Sequence, residues 1–514
     1  MDTIFLDGRT LTVKDVVLVA RYGARIALAE DAAGRIEASR QVVERCVDEA
    51  LVRYGITTGF GKFCDVVISK DDNATLQRNL VMSHAVGVGE PLADEIVRAM
   101  MLLRANALAV GVSGARLSTV QALVDMLNAG VVPIVPEKGS LGSSGDLAPL
   151  SHMAIALCGM GEARYQSRRM PAEQALKAAG LQPVVLSAKE GLALINGTQC
   201  MTAIAALAVF DAWKLARSAD VIASLTVQAL RGITDAFDAR VHEARGQFGQ
   251  VDCAANLRAL LEGSTYVTRQ GQERVQDAYA LRCVPQIHGA SRDAISYAFD
   301  VVARELNAAT DNPLIFPNPE DPSGGDIISG GNFHGQPVAL AMDFLGIALA
   351  ELANVSERRI ERLVNPSLSN GLPAFLVKEG GLNSGFMIIQ YTAASLVSEN
   401  KVLAHPASVD SIPSSANQED HVSMGTIAAR KAREILGNVR SVMALETLAA
   451  CQAVDLRGGP DFLSVPTRAA YRVLRSAVSM VEVDRIMYPD IAVATALLAD
   501  GVLLRAAEET LPSG

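Results

Sequence analysis

The sequence predicts a mainly α-helical fold, in which long helices form a central bundle and a smaller N-terminal region carries glycine-rich loops. Apolar residues recur at helical spacing over most of the 514 residues, whereas strand-like runs are few and short. Half of the residues are hydrophobic but only 4% are aromatic, so alanine-rich helices can pack closely along their length. We expect one continuous fold with two regions, residues 1–200 with the loops and residues 201–514 with the bundle.

The chain starts with a predicted β-hairpin and then passes into helix. Short strand-like runs at 3–6 and 10–13 flank Asp7-Gly8, a pair that is typical of hairpin turns. Thr12 is a suitable N-cap for a helix that begins near Lys14, because its hydroxyl can accept a hydrogen bond from the first turn.

Helical spacing continues to about residue 130, with glycine-rich interruptions at 55–61 and 87–89. A loop rich in proline and glycine follows over 131–149. We expect this loop to end where a helix begins, because Asp146 and Pro149 suit a first helical turn.

The longest helical patterns lie in the middle of the chain, at 187–310 and 336–364. Between them, residues 312–335 are rich in Pro, Gly, Asp and Ser and predict a loop. Residues 365–383 have no helical period, and the tail over 466–507 is predicted to be helical again.

Charge and hydropathy exclude several partners. The chain has 46 Lys and Arg against 56 Asp and Glu, a net charge of −10, and no basic run, which argues against nucleic acid.

The apolar stretch Met201–Leu230 is interrupted by four charged residues and predicts a buried bundle helix, not a membrane span. The first ten residues lack the pattern of a secretory signal. We therefore expect a cytoplasmic protein without a membrane partner, whose wide apolar helix faces are covered in a homo-oligomer.

Metal and nucleotide motifs are missing from the sequence. The seven cysteines show no C-x-x-C spacing, and the seven histidines show no spacing typical of metal ligands, so no metal is predicted. Lys62 follows Gly61, but Ile56 and Phe63 stand where a phosphate-binding loop needs glycine and a hydroxyl residue.

One loop carries residues for unusual chemistry. Taken alone, 139–152 is a glycine- and serine-rich loop followed by a helix cap. The alternative is that Ser143, Ser144 and Gly145 cyclise upon themselves. The Gly145 amide nitrogen would attack the Ser143 carbonyl, where glycine offers the least steric obstruction. Loss of water from Ser144 would leave a methylidene carbon conjugated to the ring, which is a strong electrophile.

This loop resembles the prosthetic-group segment of the aromatic amino acid ammonia-lyase family, whose members carry a methylidene-imidazolone. Further segments match that family in the same order along nearly the whole chain. They are Tyr54–Gly61, Ser83–Glu90, Leu194–Gln199, Gln276–Cys283, Ser329–His334, Asn383–Met387 and Asn417–Met424. Each segment alone is a weak signal, but together and in order they are specific.

The resemblance implies a protein-derived 4-methylidene-imidazol-5-one made from Ser143, Ser144 and Gly145, with no added cofactor. It implies an ammonia-lyase/fumarase-like fold and a homotetramer whose active sites combine several subunits. The implied reaction is the non-oxidative deamination of L-histidine to trans-urocanate and ammonia, the first step of histidine degradation. Family members that act on tyrosine or phenylalanine, as lyases or as aminomutases, are the alternative. A helical scaffold with an unprocessed loop is a third reading.

By the same resemblance, Tyr54 is the base that removes the β-proton, and its pKa should be depressed by the amide dipoles of the Gly59–Gly61 turn. Without the family, a buried tyrosine with a satisfied hydroxyl is the ordinary reading. Arg282 is assigned to the substrate carboxylate, which a guanidinium can grip through two oxygens. Its ordinary alternative is a surface ion pair.

The remaining catalytic and binding assignments also come from the resemblance. Tyr279, Asn196 and Asn312 match positions that line the electrophile and the substrate, with loop capping as the alternative for the two asparagines. Phe333 matches an apolar wall beside the reacting carbon, and Gln276 matches a substrate-binding position.

Two residues bear on the substrate. His84 and Glu419 could hydrogen-bond the two nitrogens of an imidazole, whereas phenylalanine would leave both groups unpaired at a cost of about 1–3 kcal/mol each. Family members that act on phenylalanine or tyrosine usually differ at these two positions. Met387 fits the same pocket as a soft wall. A histidine that packs or caps locally is the ordinary alternative for His84.

The chain departs from the family at one position. The self-processing triplet is usually Ala-Ser-Gly, and Ser143 stands here in the place of alanine. Its side chain is carried through cyclisation, so a hydroxymethyl group would replace a methyl group on the ring. The added hydroxyl can bond locally and slow the cyclisation.

Overall fold

The computed structural model describes residues 3–511, and within them the fold is mainly α-helical, which confirms the predicted class. Nineteen α-helices are present in the described chain. They are α1 (Val13–Tyr22), α2 (Glu30–Asp48), α3 (Asn73–His84), α4 (Asp94–Ala109), α5 (Leu117–Asn128), α6 (Leu147–Leu157), α7 (Ala172–Ala178), α8 (Glu190–Ile195), α9 (Gln199–Ala229), α10 (Ala239–Glu243), α11 (Phe248–Leu261), α12 (Tyr279–Arg282), α13 (Val284–Glu305), α14 (Gln336–Val364), α15 (Met387–Leu403), α16 (Gly425–Arg457), α17 (Val465–Ala477), α18 (Tyr488–Ala499) and α19 (Val502–Glu508).

The strands are short and form four small sheets within residues 3–511. They are β1 (Ile4–Leu6), β2 (Ile26–Leu28), β3 (Val88–Pro91), β4 (Val132–Pro133), β5 (Pro136–Lys138), β6 (Glu162–Tyr165), β7 (Arg168–Pro171), β8 (Leu314–Asn318) and β9 (Asp321–Ile328). β1 pairs with β2 in parallel, while β3–β5, β4–β6–β7 and β8–β9 pair antiparallel.

The chain divides into two compact units. The first comprises the chain up to Phe210 together with Phe299–Asp343 and Pro406–Arg430. The second comprises Asp211–Ala298, Phe344–His405 and the chain from Lys431 onward.

The predicted N-terminal hairpin is wrong. β1 pairs in parallel with β2, which follows helix α1, and the run over 10–13 is not a strand. The Asp7 carboxylate accepts hydrogen bonds from the Arg9 and Thr10 amides and from the Thr10 hydroxyl, so the turn leads into a helix rather than back along β1. The predicted cap is confirmed, because the Thr12 hydroxyl accepts from the Asp15 amide and α1 begins at the next residue.

Two predicted loops contain short strands. β4 and β5 lie within 131–149, and the helix expected at its end is confirmed as α6. The region 312–335 contains the antiparallel pair β8–β9, which the loop prediction missed because its proline and glycine content hides the alternation typical of strands.

The long helices of the middle region are confirmed as α9, α13 and α14, but the longest helix, α16 with 33 residues, lies outside the ranges predicted to hold the longest patterns. α9 and α14 are long and apolar enough to cross a membrane. The most apolar window of each is mostly buried within the fold, 78% in α9 and 67% in α14, as expected of core helices. The prediction that Met201–Leu230 is a buried helix is thereby confirmed.

Three helix ends of the first unit meet where α3, α6 and α8 pack against one another. His84 is the last residue of α3, and Asn196 directly follows α8. The serine–glycine loop directly precedes α6. The close packing of these three elements therefore brings together residues that lie more than 100 positions apart in the sequence.

The second unit contains a buried polar network that the sequence spacing did not indicate. Asp220, Cys253 and His288 place one potential ligand atom each within 4.8 Å of the others. The Asp220 carboxylate also accepts from Arg292 at 2.5 Å, and the Arg359 guanidinium lies 3.3 Å from His288 Nε2. The Arg292 guanidinium already balances the Asp220 carboxylate, while Arg359 pairs with the buried Glu446, so the cluster holds α9, α11, α13 and α14 together as a hydrogen-bonded network.

Candidate active site

A cavity of about 1190 Å³ opens in the first unit. Seven of the residues singled out from the sequence line it: Tyr54, His84, Ser144, Asn196, Asn312, Phe333 and Glu419. Ser143 and Gly145 line a smaller adjoining cavity, together with Ser83 and His84. The structure therefore gathers most of the predicted site residues around the serine–glycine loop.

The backbone at Gly145 leaves no room for a side chain. Its φ is +68°, and a β-carbon built there would lie 2.1 Å from the carbonyl oxygen of Gly197. The Asp146 amide donates to that same carbonyl oxygen at 2.7 Å. Only glycine tolerates both the left-handed conformation and this close approach, so the loop is held in one tight conformation against the residue that follows Asn196.

A buried carboxylate fixes the end of the loop. Asp146 is fully buried, and its Oδ1 accepts from the Ser140 hydroxyl at 2.9 Å and from the Thr426 hydroxyl. Its Oδ2 accepts from the Met201 amide at 2.8 Å, at the start of α9. Burial raises the pKa of Asp146, and the hydrogen bonds oppose that rise. Asp146 directly precedes α6, as expected of a residue at a helix start. It also caps the first turn of α9.

Tyr54 lies in a loop that lines the cavity. The loop is closed by backbone bonds from Gly59 to Val66 and from Ile68 to Thr57, each 2.9 Å long. The Tyr54 hydroxyl accepts from the Gly61 amide at 3.4 Å. Burial nevertheless raises the pKa of Tyr54 above its ordinary value, and this single long bond does not offset it. The expectation that the turn depresses this pKa is therefore wrong.

His84 presents one nitrogen in a defined state. Its Nδ1 lies 2.9 Å from the Leu80 carbonyl oxygen and 3.0 Å from the Ser83 hydroxyl. A carbonyl oxygen only accepts, so the neutral ring carries its proton on Nδ1. Nε2 is then left with a lone pair that can accept a hydrogen bond from a ligand.

Glu419 follows a strained turn. Ser415, Ala416 and Asn417 all have positive φ, between 52° and 69°, which is rare for residues other than glycine. The Ser414 hydroxyl donates to Glu419 Oε2 at 3.0 Å. Ser414 and Glu419 are also joined through their backbones, with the Ser414 amide 2.9 Å from the Glu419 carbonyl oxygen. One carboxylate oxygen is thus held by Ser414, while the residue as a whole lines the cavity.

The two asparagines are fixed by buried neighbours. Asn312 Oδ1 accepts from the Gly330 amide at 2.6 Å, and its Nδ2 donates to the Ser329 hydroxyl at 3.2 Å. The side-chain nitrogen of Asn196 donates to the Asn312 carbonyl oxygen, also at 3.2 Å. Both amides are therefore held in place by several hydrogen bonds each, which a flexible loop cap does not require.

Four predicted residues lie in the second unit: Gln276, Tyr279, Arg282 and Met387. None of them is among the described residues that line the cavity. Gln276 is exposed, and Tyr279 is 69% exposed. The Arg282 guanidinium stacks on that ring at 4.8 Å, and its Nε has no hydrogen-bond partner within the described chain. Arg282 and Tyr279 thus form one polar surface feature of the second unit.

Sequence reasoning missed several polar residues around the cavity. Lys62 and Asn79 line it directly. Lys189 and Asp311 form an ion pair of 2.7 Å, with only 0% and 1% of their side chains exposed. Asp311 directly precedes a predicted site residue, and Lys189 lies seven positions before Asn196. The position of these two residues next to predicted site residues was the hint that the sequence offered. A single charged residue in a sequence does not reveal whether it is buried.

Comparison with known proteins places the chain among close relatives. A sequence model described as aromatic amino acid lyase matches residues 11–476. The histidine ammonia-lyase of Alkaliphilus oremlandii is 62% identical over 511 residues, which is 99% of each protein. Among solved structures, histidine ammonia-lyase from Trypanosoma cruzi is 44% identical with a TM-score of 0.92, over 100% of this chain and 96% of that one. Tyrosine aminomutase from Streptomyces globisporus is 41% identical with a TM-score of 0.95, over the whole of both chains.

Proposed function

The chain belongs to the aromatic amino acid lyase family, and on that basis we propose that it eliminates ammonia from L-histidine to give trans-urocanate. One observation carries the choice of substrate: His84 and Glu419 line the same cavity as Tyr54 and Ser144. His84 Nε2 and the Glu419 carboxylate are both acceptors, so together they match an imidazole ring that carries a proton on each nitrogen. The enzyme is accordingly a carbon–nitrogen lyase.

We propose that Ser143, Ser144 and Gly145 form the 4-methylidene-imidazol-5-one, so that no separate cofactor is added. The surroundings suit such a ring, because Gly145 has no space for a side chain and packs its backbone against Gly197. When formed, the group supplies an electrophilic carbon that makes the amino group a better leaving group. Asp146 and Ser140 hold the loop end rigid, which favours a fixed ring plane.

Tyr54 is proposed as the base that takes the β-proton. Its hydroxyl lies in the wall of the cavity that holds Ser144, and the Gly61 amide donates to it. That amide stabilises the phenolate, whereas burial favours the phenol. Phe333 forms an apolar wall of the same cavity, where exclusion of water strengthens the remaining polar contacts.

The imidazole end of the substrate is assigned to His84 and Glu419. His84 Nε2 accepts from the imidazole N–H, since its Nδ1 proton is used by the Leu80 carbonyl. Glu419 faces the other end of the ring, with Oε2 held by Ser414. A carboxylate only accepts, so it binds a ring nitrogen that carries a proton and favours the imidazolium form of the substrate ring.

Replacing Glu419 with glutamine is expected to lower kcat/KM for histidine about ten- to a hundredfold, because a charge-assisted hydrogen bond becomes a neutral one. Steady-state kinetics and the thermal midpoint of unfolding would be measured for Glu419→Gln and for Asp420→Asn. Asp420 is exposed and adjacent, so it is a matched control that should keep wild-type kinetics. Equal kcat/KM in wild type and Glu419→Gln would remove Glu419 from the imidazole site.

The carboxylate end of the substrate is assigned to Arg282 of another copy of the chain, together with Tyr279, Gln276 and Met387. Exposed Tyr279 supports this assignment, since it is available to a second subunit, and Arg282 stacks on its ring with a buried Nε that has no hydrogen-bond partner in the described chain. A homotetramer with shared active sites would complete each cavity in this way. Such an assembly also covers the apolar residues exposed on the long helices, among them Phe344 and Ile347.

Shared sites predict complementation between two inactive variants. Tyr54→Phe and Arg282→Met should each be nearly inactive alone. Unfolded together and refolded as a mixture, they should regain a substantial fraction of wild-type activity, because some sites then combine the intact halves of two chains. Light scattering on the same samples would give the subunit number. A mixture that stays as inactive as its parents would place all these residues in one chain.

The alternatives within the family are less well supported. The overall fold does not separate lyases from aminomutases, because the two solved structures have TM-scores of 0.92 and 0.95. Their sequence identities of 44% and 41% are also close, so the lyase is favoured by the 62% identity to the histidine ammonia-lyase of Alkaliphilus oremlandii. The polar pair His84 and Glu419 further disfavours tyrosine and phenylalanine. The proposed location is the cytoplasm, with neither membrane nor nucleic acid as partner.

The test of this proposal is the formation of urocanate from L-histidine by the purified protein, followed by its ultraviolet absorbance. L-Phenylalanine and L-tyrosine are assayed in parallel at the wavelengths of their own products. Product from histidine alone supports the proposed function, whereas product from one of the other two amino acids would favour the alternative.

A further inference from the structure

We infer that Asp311, paired with Lys189, is a positioning residue that fixes the side-chain amide of Asn196 with its oxygen left for the substrate. We infer further that this oxygen accepts a hydrogen bond from the amino group of the substrate. The inference rests on the proposed function, since it concerns the same cavity and the same ligand.

The orientation of the Asn196 amide follows from its neighbours. Asn196 Nδ2 lies 3.2 Å from Asp311 Oδ1 and 3.2 Å from the Asn312 carbonyl oxygen. Both neighbours are acceptors, so the end of the amide that faces them must be the NH₂ group, and both of its hydrogens are used. Asn196 Oδ1 is buried and has no hydrogen-bond partner in the described part of the chain.

Asp311 is bound at both oxygens by donors. Its Oδ2 accepts from Lys189 Nζ at 2.7 Å, and its Oδ1 accepts from the Asn312 amide at 2.6 Å as well as from Asn196. Only a carboxylate accepts at both ends, because an amide in its place presents a donor at one of them. The ionised state is needed at this position, and Lys189 compensates the buried charge.

The backbone of Asn196 is fixed as well. Arg104 is fully buried and donates through Nη1 to the Asn196 carbonyl oxygen at 2.9 Å. Asn196 directly follows α8, while Lys189 directly precedes it with a φ of +72°. The ion pair therefore connects the start of this short helix to the residue at its end, and the amide cannot turn without breaking buried hydrogen bonds.

Asn196 Oδ1 can bind only a hydrogen-bond donor, because a carbonyl oxygen only accepts. A buried carbonyl oxygen without a partner is costly until it receives a donor. The substrate carboxylate offers no hydrogen, and the imidazole N–H groups are assigned to His84 and Glu419. The amino group is the donor that remains, so Asn196 would orient the nitrogen that leaves as ammonia.

The test replaces the Asp311 carboxylate with an uncharged amide of the same shape. In Asp311→Asn, Lys189 attracts the new amide oxygen, and the new NH₂ group faces Asn196. The Asn196 amide then loses its acceptor at position 311, and turning it would place its oxygen against the Asn312 carbonyl oxygen, so its orientation toward the substrate is no longer fixed. We expect kcat to fall about 100-fold, while intact mass still shows the loss of two water molecules that accompanies ring formation.

A second variant separates orientation from stability. Asp311→Asn combined with Lys189→Met removes the cation, so the introduced amide can turn its oxygen back toward Asn196. We expect this double variant to recover most of the lost kcat. Glu446→Gln is the matched control, because Glu446 is a fully buried acid paired with Arg359 in the second unit. It should change the thermal midpoint and leave kcat close to wild type.

Ligand binding gives a readout that does not depend on turnover. In the Tyr54→Phe background, calorimetry compares L-histidine with imidazolepropionate, which lacks the amino group. Adding Asp311→Asn should weaken histidine about tenfold and leave imidazolepropionate within about twofold. Equal weakening of both ligands, a single variant with wild-type kcat, or a double variant no better than the single would each overturn the inference. If the wild type were inactive on histidine, the proposed function would be contradicted. The comparison of histidine with imidazolepropionate in the binding experiment would still test the role of Asp311.

Discussion

Ser144→Ala is expected to abolish the elimination of ammonia from histidine, because the methylidene carbon of the proposed electrophile comes from the Ser144 side chain. Alanine has no hydroxyl to lose, so the dehydration that creates the double bond has no leaving group. The intact mass of the variant should lack the loss of two water molecules expected for wild type. The fold should persist, since Ser144 is only partly buried in the wall of the cavity.

Ser143→Ala is the matched control for this experiment, because it changes the neighbouring residue and restores the triplet usual in the family. The side chain at this position is kept through cyclisation, so the control should lose two waters and remain active. Turnover of histidine by Ser144→Ala at a rate near wild type would exclude the electrophile from the mechanism.

Tyr54→Phe is expected to lower kcat by about 10³-fold, within the range for loss of a general base. The ring should still form, since Tyr54 contributes no atom to the triplet that cyclises. Intact mass and the affinity for histidine should therefore match wild type, while the rate collapses. Normal turnover in this variant would remove Tyr54 from proton abstraction.

The pKa of Tyr54 gives the same residue a second test. Burial raises this pKa above the ordinary value of about 10, and only the phenolate form accepts a proton. The active fraction consequently grows with pH, and kcat at saturating histidine should keep rising beyond pH 9 without a plateau in the neutral range. Tyr54→Phe should lose this alkaline rise. A wild-type kcat that levels off near pH 7 would mean that another group is the base.

Much of the fold could be predicted from the sequence, because long amphipathic helices leave a repeated signal. The helices α9 and α14 follow directly from apolar spacing, and Thr12 marks the start of α1 through its capping hydroxyl. The pairing of β1 with β2 could not be predicted in this way. It depends on a parallel contact across an intervening helix, whereas Asp7-Gly8 locally favours a hairpin.

The candidate site could likewise be predicted only in part from the sequence. Ser144, Tyr54 and Glu419 belong to motifs that resemble a known family, and the structure places them around one cavity. The Lys189–Asp311 pair belongs to no local pattern, because its partners are separated by 122 positions. The pKa of Tyr54 likewise depends on burial by the surrounding chain, which the nearby glycine amides do not reveal.

The central claim is the elimination of ammonia from L-histidine in the cavity that holds Ser144, Tyr54, His84 and Glu419. The most direct measurement is the ultraviolet absorbance of urocanate after L-histidine is added to the purified wild-type protein, with L-phenylalanine and L-tyrosine as parallel substrates. We predict product from histidine alone, together with an intact mass that is lower by two water molecules. A protein that shows this mass loss but forms no product from histidine would contradict the claim.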